Sequence, residues 1–165
     1  MEYLELSMHE ITHLFLTFLA AGSTWFFCSR TQALKYKKIL LTFLGAFLGE
    51  FFLDTDHLFD YVLAYGTHFR LDYFLQGRMF DKLHKTYVPL HGWEWIIILG
   101  IVICFVKNIS LRIFLTALTL GVLFHMIYDM FYNHYSFLGY SLIYRIIHNF
   151  DVNYVTIIFQ HIHLV

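Results

Sequence analysis

Four apolar runs, residues 11–28, 39–53, 93–106 and 113–131, dominate this 165-residue sequence, and each carries histidine or carboxylate at one alternating end. His9 and His13 open the first run, and Asp54, Asp56, His57 and Asp60 close the second. His91 and Glu94 open the third, and His125 and Asp129 close the fourth. Apolar runs near ~20 residues read as membrane spans. The second and third reach that length only by extending into residues 54–61 and 90–91. The sequence therefore predicts an all-α membrane protein of about four transmembrane helices, one integral-membrane domain covering residues 1–165.

Composition agrees. Apolar residues make up 59% and charged residues 14%, against typical values near ~50% and ~25%, and the mean hydropathy is +0.60. Eleven Lys and Arg against twelve Asp and Glu leave no basic excess, which argues against nucleic acid as a partner. No Ala-x-Ala cleavage site follows a short basic start, so the first run is expected to be retained. Residues 71–83 and 140–150 mix aromatic and charged side chains, the pattern of helices lying at a bilayer interface.

The connections set an orientation. Arg30, Lys35, Lys37 and Lys38 lie between the first two runs, and Lys107 and Arg112 between the last two. All twelve carboxylates and all eleven histidines fall on the other side. The positive-inside rule then puts the basic loops in the cytoplasm of a plasma or inner membrane, with the histidine-rich face extracytoplasmic. Arg70, Arg78, Lys82 and Lys85 on that face are more dilute, and are placed to attract an anionic lipid head group. Cys28 and Cys104 lie at the cytoplasmic ends, where a disulfide is not expected.

Antiparallel helices bring the polar ends together. His9/His13, Asp56/Asp60 and His125/Asp129 are spaced i,i+4, and Asp54/His57 and His91/Glu94 i,i+3, so each pair shares a helix face. Ionisable groups at the end of an apolar run are costly unless paired or bound to a cation. Mixed imidazole and carboxylate suits zinc first, then manganese or iron, over calcium or magnesium. The candidate ligands are His13, Asp54, Asp56, His57, His91, His125 and Asp129, more than one tetrahedral ion needs, which points to two or more ions. Glu94 is the candidate proton-transfer residue and Asp60 its reserve. Among residues given blander roles, His148, His161 and His163 read as interfacial anchors, and Trp93 and Trp95 as belt residues. Gly45 and Gly49 read as close helix packing, and Glu50 as a buried partner or a protonated core residue.

Three competing readings draw on other features. His9-Glu10-Ile11-Thr12-His13 matches His-Glu-x-x-His, the zinc site of an intramembrane protease with glutamate as general base. A membrane di-iron oxidase needs two Glu-x-x-His pairs, and only Glu10/His13 fits. A non-enzymatic metal-binding protein or transporter would keep the ligands without hydrolysis.

On its motifs the sequence resembles the YdjM-like family of inner-membrane metal-dependent hydrolases. The residues that carry the likeness are His13, Leu53-Asp54-Thr55-Asp56-His57, the stretch 84–91, and His125-Met126-Ile127-Tyr128-Asp129, spread over residues 9–134. Leu53 stands where that family has proline, and the 84–91 stretch is two residues longer. The family is in turn similar to zinc-dependent phospholipase C and its single-strand nuclease relatives. The resemblance implies hydrolysis of a phosphoester, on a lipid or lipid-linked substrate, by a metal-activated water.

Overall fold

Burial on the long helices falls in stripes of small and polar residues, while their large apolar side chains point outward. The computed structural model describes residues 2–28 and 36–155, with side chains over 8–27 and 38–155. Arg30, Lys35, His161 and His163, and the side chains of Cys28 and Lys37, lie outside the described residues. Among the described residues the chain is helical with no strand, and one isolated bridge joins Lys85 and Asp151. The order is α1 (Glu2–Cys28), α2 (Tyr36–Phe51), a 3-10 turn (Leu53–Asp56), α3 (His57–Tyr65), α4 (Leu71–Leu75), α5 (Arg78–Leu83), α6 (Trp93–Phe105), α7 (Ile109–Tyr132) and α8 (Leu142–Ile147).

The chain divides into two compact units, Met1–Leu53 with Trp95–Ile127, and Asp54–Glu94 with Tyr128–Val165. In the first, α1 packs on α2. Its buried positions include His13, Thr17, Ala20 and Thr24 on α1, then Thr42, Ala46 and Glu50 on α2, and Ile113, Ala117, Val122, His125 and Met126 on α7. Outside lie Ile11, Phe15, Phe18, Leu40, Phe47, Ile97, Ile101 and Phe105, all exposed. This distribution is the reverse of a water-soluble core, and small residues inside let backbones approach. Gly45 and Gly49 carry that approach. A Cβ on Gly45 would meet the Phe114 carbonyl oxygen at 2.5 Å, and one on Gly49 would lie 2.8 Å from the Val122 nitrogen.

Of the four expected spans, only α7 among the described residues is both long and apolar enough to cross a membrane. α6 is apolar but has 13 residues, about 20 Å at 1.5 Å per residue, which is short of the ~30 Å hydrocarbon core. The four-span count is therefore not carried by helix length.

Three boundaries also differ from expectation. α2 does not run on into residues 54–61, because the chain kinks through the 3-10 turn before α3 starts at His57. Residues 71–83 form two short helices, broken where Gly77 adopts φ 64°, a left-handed conformation that glycine takes without steric cost. Within 140–150 only Leu142–Ile147 is α-helical.

Candidate metal centre

The second unit builds its site from the 3-10 turn, the loop before α6, and the end of α7. Asp56 leaves the turn buried, and its Oδ2 accepts the backbone N–H of Leu90 at 2.7 Å and lies 3.1 Å from His91 Nδ1. One carboxylate thus fixes both the loop and the ring. With Nδ1 at Asp56, Nε2 faces away from that carboxylate. His91 Nε2 faces Asp54 Oδ1 at 3.6 Å and Asp129 Oδ2 at 3.8 Å. His57 Nε2 approaches the same Asp54 oxygen at 3.5 Å, and its ring stacks on that of His91 with centroids 5.1 Å apart.

Those spacings suit a metal better than hydrogen bonds. All three exceed ordinary N–H···O distances. Ligand atoms ~2.0–2.2 Å from a tetrahedral zinc stand ~3.3–3.6 Å from one another, close to the 3.5, 3.6 and 3.8 Å found here. Asp54, His91 and Asp129 offer ligand atoms close enough together for one ion, as do Asp56, His57 and His91, and His57 Nε2 also reaches Asp54. His91 and Asp129 are buried, while the Asp54 and His57 side chains are 31% and 26% exposed, so access is from their side.

Three carboxylates surround the His91 imidazole. Burial pulls the His91 pKa down, but the neighbouring carboxylates of Asp54, Asp56 and Asp129 prevail, raising it from 6.5 to about 10. In metal-free protein this stabilises the fold fully below pH 6.5 and is lost as pH rises through about 10. A metal must displace that proton. Apparent metal affinity is therefore expected to rise with pH between 6.5 and about 10. Titration calorimetry in buffers of different ionisation enthalpy should find about one proton released per ion at neutral pH.

The first unit holds its own group. His13, Glu50 and His125 are fully buried, and offer ligand atoms close enough together for one ion. Glu50 Oε2 lies 3.0 Å from His13 Nδ1 and 3.9 Å from His125 Nδ1. The two rings stack at 4.4 Å, and His9 Nε2 comes within 3.1 Å of His13 Nε2. Glu50 is thus a third ligand candidate that the sequence left as a buried partner. His125 and Asp129, expected as a pair, fall in different units.

The two expected proton-transfer residues are placed elsewhere. Glu94 accepts from Ser141 Oγ at 2.6 Å and from the Leu142 and Ile143 N–H groups at 2.9 and 3.0 Å, closing the N-terminus of α8. The i,i+3 spacing with His91 does not apply, because α6 begins only at Trp93. Glu94→Ala is expected to cost about 1–2 kcal/mol through loss of this cap, leaving metal affinity unchanged in the same preparation. Asp60 is buried and accepts the Tyr87 and Val88 N–H groups at 3.2 and 2.9 Å. Burial raises its pKa against those two bonds. It anchors the loop where Val88 sits at φ 28°, unfavourable for a β-branched residue.

Arg145 lies in the 140–150 stretch, to which the sequence assigns no site residue. It is 1% exposed, and it donates through Nη2 to the His91 carbonyl at 2.5 Å. A cavity of about 270 Å³ opens beside it, lined by His57, His91, Asp129, Tyr135, Tyr140 and Arg145 among others. Trp93, expected in an aromatic belt, donates its indole N–H to Phe137 O at 2.8 Å and stacks on that ring.

No family model matches the chain, and no curated protein or solved structure does either.

Proposed function

We propose that this protein is a membrane-embedded, metal-dependent hydrolase that cleaves a phosphoester of a lipid or lipid-linked substrate. The observation that carries the reading is the wall of the second unit's cavity, where His57, His91 and Asp129 stand with a buried arginine. In this reading Asp54, His57, His91 and Asp129 hold a divalent ion, zinc first among the candidates, and the His13/Glu50/His125 group is a second ligand set. When bound, such an ion supplies Lewis acidity, bringing water toward a neutral pKa and drawing charge from a phosphoryl oxygen. Asp56 fixes the aim of His91. Tyr135 and Tyr140 stay protonated because burial raises both pKa values, so each brings a phenol O–H to the cavity.

The membrane part of the reading rests on α7 and on the apolar outer faces of α1, α2 and α6. The distribution of basic loops supports an extracytoplasmic site, and the motif likeness to the YdjM-like family supports the hydrolytic chemistry. The protease alternative draws on the close approach of His9 and His13. Its general base, Glu10, is exposed, whereas that role calls for a carboxylate enclosed beside the ion, so we rank it second.

The test is hydrolysis of short-chain phosphatidyl substrates in mixed micelles. Expected is turnover abolished by chelation, restored by zinc, and lost in His57→Ala. Turnover that ignores chelator, or none with any phosphoester while a peptide substrate is cut and Glu10→Gln blocks it, would overturn the reading.

A further inference from the structure

We infer that Arg145 is the anion-binding residue of the cavity in the second unit, and that it receives the non-bridging oxygens of a phosphoryl group. This deepens the hydrolase reading and rests on it only for the claim that the phosphoryl group is a substrate.

The argument starts from the cost of the side chain. A guanidinium stays charged at any physiological pH, and an arginine 1% exposed has left water. Burying a charge costs several kcal/mol unless ion pairs and hydrogen bonds offset it. Here the offset is incomplete. The Nη2 group donates to the His91 carbonyl, Nε has no hydrogen-bond partner, and no carboxylate pairs with the guanidinium among the described residues. Asp56, Glu94 and Asp60 act on it only through their charge, not by contact.

Its surroundings fit an oxyanion better than another cation or an apolar group. The Tyr140 hydroxyl lies in the same cavity, accepting weakly from Asn133 Nδ2 at 3.4 Å, which leaves its O–H free to donate. A planar guanidinium with a phenol beside it matches the several acceptor oxygens of a phosphoryl group. The cavity volume is about 270 Å³. It has room for a phosphoryl head group. Placement completes the case, because the Arg145 bond to His91 O ties the anion residue to the backbone of a ligand histidine. An oxyanion held by Arg145 therefore stands beside His57, His91 and Asp129.

Phosphate can arrive free or as a lipid head group, and both present the same oxygens. The experiment is calorimetric titration of chelator-treated full-length protein in neutral detergent, first with inorganic phosphate and then with dihexanoyl phosphatidic acid. Expected is saturable binding of at least one of the two, weakened about tenfold or more in Arg145→Met. Arg145→Lys, which keeps the charge and loses the fork, should be intermediate. Arg112→Gln, at an exposed arginine of the first unit, should bind as the wild type does. Tighter binding of the phosphatidic acid would identify a lipid head group, and equal or weaker binding free phosphate. If Arg145→Met does not fold, the Arg145→Lys and wild-type comparison, with 31P line broadening, still decides. Binding of neither probe, or equal binding in wild type and Arg145→Lys, overturns the inference. Zinc stoichiometry on the same samples reports separately on the metal centre, so loss of the anion site and loss of the hydrolase reading are distinguishable.

Discussion

His91→Ala is expected to abolish stoichiometric metal binding in the second unit, whereas Asp56→Asn should weaken it by only ~10–100-fold. The difference follows from which atoms each residue presents. His91 gives Nε2 to the space it shares with Asp54 and Asp129, at 3.6 and 3.8 Å, so its loss removes a ligand. Asp56 holds that histidine and its loop through Oδ2, and its Oδ1 lies 3.1 Å from the same ring nitrogen. An asparagine there can keep one acceptor for Leu90 N–H, but its amide no longer favours the charged or strongly polarised ring. Metal titration of the apo forms separates the two cases. Equal loss in both variants would make Asp56 a direct ligand, as the sequence alone suggested.

Gly49→Leu is expected to prevent folding of the first unit, or to cost at least ~3 kcal/mol, at or beyond the upper end of ordinary overpacking. That is a large share of the ~5–15 kcal/mol that holds a domain together. A side chain at this position meets backbone on α7: the Leu118 carbonyl, the Val122 nitrogen and Gly121 Cα. Backbone cannot move aside as the tip of a flexible side chain can, so α2 and α7 must separate. Gly100→Ala provides the contrast, since nothing lies within 4 Å of a Cβ there and alanine favours helix. Denaturant melts in detergent micelles should show Gly100→Ala at or slightly above wild type, with Gly49→Leu far below it.

Much of the second unit's site was legible because spacing and chemistry coincide. Asp54 and His57 are three residues apart beyond an apolar run, and His91 and Asp129 mark the ends of two others. What sequence could not resolve was direction. Asp54 and Asp56 are the same residue type, and only the 3-10 turn from Leu53 to Asp56 makes one face the shared space and the other the His91 ring. For a similar reason helical spacing does not relate Glu94 to His91, since the entry at His91-Gly92 is not helical. Gly92 reflects the crowding there, as a Cβ would fall 2.8 Å from the Glu94 carboxylate and 3.2 Å from Leu142. Arg145 was invisible because a charge within an apolar stretch reads as an interruption, and only tertiary burial turns it into a cavity wall. Glu50 carries no comparable local signal, since its meeting with His13 joins residues 37 positions apart.

The central claim is that Asp54, His57, His91 and Asp129 bind a metal ion through nitrogen and oxygen. X-ray absorption at the zinc edge, on wild-type protein reconstituted from apo form and measured beside His57→Ala, tests it most directly. The account predicts stoichiometric zinc with an N/O shell at ~2.0–2.2 Å, imidazole scattering that falls in His57→Ala, and no sulfur. Failure to take up stoichiometric metal, or a spectrum unchanged by the loss of His57, would contradict it.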